Sequence, residues 1–154
     1  MKENVWGHIF DSLAELKTAS LVTTSAQATV DGTAAYFDTG GGYTEGKLVL
    51  DVTACSSATT LDLFEIRLQG GTPTTFTTFV TLAKLQLGNV SSGSFYRLGA
   101  AAAGKDGSAN VTTGRFIIPW TNLFNGTVYR YLRVYHAMFT PATGINYTAF
   151  LTQA

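Results

Sequence analysis

Only one of the 154 residues is cysteine, two are histidine, three are proline, and 13% are charged. Each scarcity removes a class of protein. A single thiol, Cys55, cannot build a disulfide framework, and its surroundings, DVTACSSATT, hold neither histidine nor a second thiol for a metal site. A chain of this length needs neither, because it can bury a core large enough to fold as one domain. Cys55 is read as an inert small residue near a strand end, and no metal and no cofactor are expected.

Charge of one sign is also missing. Ten basic residues balance ten acidic ones, which leaves no electrostatic footprint for a nucleic-acid binder. Long apolar runs are absent from the opening MKENVWGHIF, which carries an acid at position 3. Neither a signal peptide nor a membrane span is expected there, and synthesis in the cytoplasm follows as the expectation. The balance hides an asymmetry, since all ten acids lie at or before Asp106 while Arg115, Arg130 and Arg133 are the charges beyond it. Opposite-sign segments are expected to pair within the fold or across a subunit contact, the first being the simpler arrangement.

What is present is β-forming. Threonine is the commonest residue, and Thr, Val, Phe and Tyr recur in short runs broken by Gly, Ser, Asn and Pro. Strands are expected near residues 20 to 30, 34 to 38, 46 to 54, 61 to 69, 78 to 87, 94 to 98, 114 to 120, 127 to 138 and 145 to 152. In 46 to 54, Leu48, Leu50, Val52 and Ala54 share one face. In 61 to 69, Phe64, Ile66 and Leu68 oppose Glu65, Arg67 and Gln69. Turn chemistry separates the strands, as in DGT at 31 to 33, TGGGYTEG at 39 to 46 and QGGTPTT at 69 to 75. The fold class is an all-β antiparallel sandwich. A jelly roll is preferred to an immunoglobulin-like topology because no Cys and Trp framework exists.

Residues 1 to 19 read as an amino-terminal arm or short helix, with Ile9, Leu13 and Leu16 at helical spacing, and residues 20 to 154 as one sandwich domain. A long, small-residue-rich loop is expected at 99 to 113. Trp6, Ile9, Phe10 and Leu13 are costly to leave in water, so the arm is expected to pack on this core or on a neighbour.

The stretch GTVYRYLRVYHAMF at 126 to 139 is unusual in carrying large side chains along both faces of one strand. Val128, Leu132 and Val134 are expected to face the core. Tyr129, Tyr131 and Tyr135 then lie on the other face with Arg133, either as contact area for a partner chain or covered within the monomer. Arg130 must reach a carboxylate or a strand end. His136 shares the face of Leu132 and Val134, where a hydrogen-bonded core or interface histidine is expected rather than a base.

Catalytic patterns fail on their own chemistry. GAAAAGKD at 99 to 106 follows the phosphate-loop pattern for seven positions, then places Asp106 where a magnesium-binding hydroxyl is needed. Asp38-Thr39-Gly40 matches the triplet of dimeric aspartic proteases but lacks the small residue after it and the later apolar brace. A strand-ending Asp before a glycine turn is the commoner origin of such a triplet. Neither histidine accompanies a nucleophile elbow. The chain is not expected to be an enzyme.

The run YFDTGGGYTEGKLVLDVTACSSATTLDLFEIRLQGG, followed by GRFIIPW and then VYRYLRVYHAMFTPATGINYTAFLT, resembles the jelly-roll capsid cement, or decoration, proteins of tailed bacteriophages. The likeness covers residues 34 to 154 in order, with RYLRV its most specific piece. The resemblance implies a structural virion protein on the outer surface of an icosahedral head. It would be a homotrimer that clamps neighbouring subunits of the major capsid protein, and would need no nucleic acid or membrane. The candidate subunit or capsid interface is then Trp6, Ile9, Phe10, Leu13, Tyr129, Tyr131, Arg133 and Tyr135. A carbohydrate- or receptor-binding jelly roll is the alternative, which clustered loop aromatics would favour, and an aspartic protease using Asp38 is a distant third.

Overall fold

Side chains on successive residues of a strand point to opposite faces, so a strand with alternating apolar residues must place one face on a core. The computed structural model describes residues 14–55, 63–89, 97–98, 110–111, 113–139 and 144–153. In chain order the strands are β1 (Glu15–Val22), β2 (Ala26–Gln27), β3 (Thr29–Val30), β4 (Thr33–Ala34), β5 (Phe37–Asp38), β6 (Glu45–Cys55), β7 (Leu63–Gly71), β8 (Phe79–Asn89), β9 (Arg97–Leu98), β10 (Asn110–Val111), β11 (Gly114–Thr121), β12 (Leu123–Phe124), β13 (Thr127–Val128), β14 (Tyr131–Phe139) and β15 (Ile145–Gln153).

Two antiparallel sheets form the sandwich. One runs β1-β15-β6-β11 and the other β8-β7-β14-β2, with β9 and β10 beside β8 and β5 beside β14. Counting β1, β2, β6, β7, β8, β11, β14 and β15 as eight strands, the first sheet reads first, eighth, third, sixth. The second reads fifth, fourth, seventh, second. First pairs with eighth, second with seventh, third with sixth and fourth with fifth, which is the strand order of a jelly roll.

The inner faces are dry. Leu48, Leu50 and Val52 of β6, Ile118 of β11 and Leu151 of β15 meet Phe64, Ile66 and Leu68 of β7, Leu85 of β8 and Leu132 and Val134 of β14. Each such side chain contributes about 1.5 to 3 kcal/mol by leaving water. The opposition of Phe64, Ile66 and Leu68 to Glu65, Arg67 and Gln69 holds as expected, and Cys55 closes β6 with its side chain packed against the core.

Five details depart from the sequence reading. The strand expected from residue 20 begins at Glu15, and Leu16 is a fully buried core residue of β1 rather than part of a helix. Pairing with β15 holds Leu16 in a strand, and the expected domain boundary at 19 therefore falls inside that strand. The expected strand at 20 to 30 is split, because β1 belongs to one sheet and β2 to the other. Ala54 is exposed, because a bulge between Val52 and Ala54 breaks the alternation that Leu48, Leu50 and Val52 obey. The stretch 127 to 138 breaks at Tyr129 and Arg130, leaving Val128 half-buried in the β12–β13 hairpin instead of in the core. Of the expected loop at 99 to 113, Asn110 and Val111 pair with β8 as β10. The phosphate-loop-like GAAAAGKD and Trp6, Ile9, Phe10 and Leu13 lie outside the described residues.

Candidate functional site

Strand β14 lies between β7 and β2, so both of its edges are paired. Its inward residues Leu132 and Val134 are fully buried, while Tyr131, Arg133 and Tyr135 point outward and are each half-buried. Tyr129 does not join them. It precedes the strand, bonds through its N–H to the Asn122 carbonyl at 2.8 Å, and lies across Gly70, where an added Cβ would come within 2.8 Å of Tyr129 Cβ.

Arg133 is the centre of the outward face. Its Nε donates to Gln69 Oε1 at 2.9 Å and its Nη1 to Gln27 Oε1 at 3.0 Å. The guanidinium carbon lies 4.4 Å from the centroid of Phe76, 5.3 Å from that of Phe79 and 5.6 Å from that of Tyr135. These are cation–π distances, worth about 0.5 to 2 kcal/mol each depending on desolvation. Phe76 comes from the loop between β7 and β8, which folds back over the sheet so that Phe76 is only 3% exposed. Its ring rests on Gly71, where a Cβ would sit 2.7 Å from a ring carbon, and its φ of 49° is a conformation that bulky residues avoid. Tyr131 receives the edge of Tyr36 at 5.6 Å and the guanidinium of Arg130 at 5.2 Å.

Burial pushes the Arg133 guanidinium below its ordinary pKa, although an arginine remains charged there. Among the described residues no carboxylate pairs with it. Two rungs along the same face, Glu65 pairs with Arg67 and Lys84. It accepts from Arg67 at 2.7 Å, Lys84 at 3.3 Å and Gln86 at 2.7 Å. Burial alone would raise the Glu65 pKa, but hydrogen bonds from Gln86 and Arg67 and the two positive charges outweigh it and hold the carboxyl below its usual range.

The end of the sandwich next to Arg133 is rich in exposed apolar side chains. Of the eight large exposed hydrophobic residues described, Tyr36, Tyr43, Phe79, Leu123 and Phe124 gather there. Phe79 opposes Gly71 at the end of β7, and Thr121, just before the hairpin bearing Leu123 and Phe124, opposes Glu45. That hairpin closes through Asn125 and Gly126, both at positive φ, as a two-residue turn with matching twist requires. Fully buried Asn122 locks its base. Its Oδ1 accepts from Thr44 N–H at 2.9 Å, and its Nδ2 donates to the carbonyls of Gly42 and Tyr129.

Asp38 belongs to this locking system. Arg130 donates to both its carboxylate oxygens, at 2.8 and 2.9 Å, and Gly40 N–H donates to Oδ1 at 2.8 Å. The hydrogen bond from Arg130 holds the Asp38 carboxyl below its usual pKa. A protease dyad needs a carboxyl raised enough to share a proton, so this environment runs the other way. Arg130 reaches a carboxylate, as the sequence required, and pairs the basic carboxy-terminal part of the chain with the acidic part before it.

On the inward face of β14, His136 and Tyr147 of β15 are buried with His136 Nδ1 and the Tyr147 hydroxyl 2.9 Å apart. Lys17 of β1 lies with its ammonium 5.1 Å from the Tyr147 ring centroid and donates to Thr18 O, Ser20 O and Ser20 Oγ. Burial, with a smaller contribution from Lys17, pushes the His136 pKa from 6.5 down to about 4, and burial raises that of Tyr147. His136 is therefore the hydrogen-bonded core histidine the sequence suggested. The sequence reading took Lys17 as suiting the end of a short helix, whereas it lies in β1 with its side chain buried.

The structure thus brings Tyr131, Arg133 and Tyr135 together and leaves Tyr129 apart. Sequence reasoning missed Phe76, Gln27 and Gln69. The one available signal for Phe76 was an aromatic residue in the threonine-rich loop after Gly70-Gly71. Among the described residues no cluster of His, Cys, Asp and Glu could hold a metal ion, and no helix is long and apolar enough to cross a membrane. Compared with known proteins, the chain matches no family model and no curated sequence.

Proposed function

We propose that this chain is a capsid cement protein that binds the outer surface of an icosahedral phage head and braces neighbouring major capsid subunits, acting as a homotrimer. The observation that carries the reading is the placement of exposed Tyr36, Tyr43, Phe79, Leu123 and Phe124 at one end of a jelly roll, where Asn122 and the Asp38–Arg130 pair lock the adjoining loops. Exposed apolar area concentrated on rigid loops suits a protein partner, because little ordering entropy is lost when it is covered. Several modest contacts per trimer then multiply, since later ones become intramolecular. The test is co-sedimentation of the purified protein with undecorated heads. Binding that weakens at least tenfold in a Leu123→Ser/Phe124→Ser variant supports the reading, and no binding by the wild-type protein overturns it.

A carbohydrate- or receptor-binding role has one observation in its favour. Tyr36, Tyr43, Phe79 and Phe124 lie in loops or at strand ends, where sugar-stacking residues are usually placed, rather than in strand interiors. Glycan-array binding lost on Tyr43→Ala would favour that role over the first.

A further inference from the structure

We propose that the outward face of the β8-β7-β14-β2 sheet holds a recognition site for a carboxylate side chain on an acidic segment of a partner protein, with Arg133 as the residue that binds it. Among the described residues of this face the carboxylates are already committed, Glu65 to Arg67 and Lys84 and Asp38, opposite Tyr131, to Arg130. Arg133 is left with a charge that is half-buried and balanced by amide oxygens and rings alone. A partly desolvated charge is costly until an opposite charge joins it, and a guanidinium binds a carboxylate best through its planar fork. Nε and Nη1 are engaged by Gln69 and Gln27, whereas no bond from Nη2 is formed among the described residues.

The surroundings hold this arrangement firmly. Phe76 is buried on Gly71 at the strained φ of 49°, a conformation retained because it sets the ring against the guanidinium. Gln27 is fixed in turn by its own Nε2, which donates to Ala35 O at 3.0 Å. Phe79, exposed beside Arg133, offers an apolar wall that would exclude water from an incoming ion pair. A protein side chain fits better than an acidic sugar. Both glutamine oxygens face Arg133, and the rings around it are taken up by the guanidinium, so few groups remain to read ring hydroxyls. The inference rests on the cement reading only in taking the partner to be a protein.

The probe is the peptide acetyl-Gly-Glu-Phe-Glu-Gly-amide, with its Gln counterpart and glucuronate as controls, titrated into the full chain while the Arg133 Nε–H resonance is followed. The Glu peptide is expected to shift that resonance saturably. Replacing its Glu residues by Gln should weaken binding roughly tenfold or more, as should Arg133→Gln, while Arg133→Lys should retain only part of it. Equal binding of the Glu and Gln peptides, no shift with any peptide, or unchanged affinity in folded Arg133→Gln overturns the proposal. Saturable binding of glucuronate without the peptide overturns it in favour of a sugar site. Heads that take up wild type and Arg133→Gln alike, with the Glu peptide failing to shift the Arg133 resonance, leave the cement reading standing and overturn this one. Heads that take up neither, while the Glu peptide still binds at Arg133, count against the cement reading alone.

Discussion

The two faces of β14 each carry a nitrogen-bearing side chain among aromatic rings, and they treat it differently. On the inward face His136 meets the Tyr147 hydroxyl, and Lys17 spends its ammonium on Thr18 O, Ser20 O and Ser20 Oγ, so the cluster is closed and almost fully buried. On the outward face Arg133 has rings on several sides and two amide oxygens, but it stands half-buried beside exposed Phe79. Neither cation has a carboxylate among the described residues. A buried polar cluster whose members bond one another and the backbone adds to the uniqueness of the fold. One that leaves a donor at the surface is available to another molecule. The comparison therefore separates a structural use of charge from a recognitional one within a single strand.

Breaking the closed side should have the largest effect. Tyr147→Ala removes a fully buried ring and should cost about 3 to 5 kcal/mol in urea unfolding, whereas Tyr147→Phe, which leaves His136 without its hydroxyl partner, should cost about 1 to 3 kcal/mol. Acid probes the same cluster without mutation. Because the fold lowers the His136 pKa from 6.5 to about 4, it favours the neutral ring. That contribution is fully present above pH 6.5 and is lost as pH falls toward 4, to a limit of about 3 kcal/mol. Replacing His136 by Gln should flatten the pH profile of stability in this window.

The open side should respond less in stability and more in binding. Gly71→Ala drives a Cβ into the Phe76 ring and should cost about 1 to 3 kcal/mol, with the Arg133 Nε–H resonance displaced and the resonances of His136 and Tyr147 unmoved. Arg133→Gln should cost no more than about 2 kcal/mol, because relief of the partly desolvated charge offsets part of the lost ring contacts, while removing carboxylate binding. Equal and large losses of stability from Arg133→Gln and Tyr147→Phe would erase the distinction between the faces. The smallest effect is expected from Asp38→Asn, since that pair with Arg130 is solvent-exposed. Its melting temperature should shift little, with the change confined to resonances of the Thr39 to Thr44 loop.

Much of this was readable in the chain. Leu48, Leu50 and Val52, or Phe64, Ile66 and Leu68, declare their inward faces by period-two alternation, and the turns between strands declare themselves by glycine and asparagine. Where alternation failed, a partner strand was responsible. Ala54 leaves the pattern because β15 pairs across a bulge, and Leu16 is core because β15 captures it. The candidate face was half legible. Tyr131, Arg133 and Tyr135 stand at every second residue, but Phe76 reaches Arg133 only because Gly71 lacks a Cβ, and Gln27 lies 106 residues away.

The sequence by itself determined the all-β class, the inward faces of the long strands and the large side chains on both faces of β14. These depend on neighbours along the chain, through the two-residue period of an extended backbone and the φ preferences of turn residues. The tertiary structure alone decided the pairing of first strand with eighth, the seat of Phe76 on Gly71, the closure of Lys17, His136 and Tyr147, and the openness of Arg133. Those depend on residues far apart in sequence that meet only when two sheets stack, and whether a buried charge is satisfied is settled by which groups happen to meet it there.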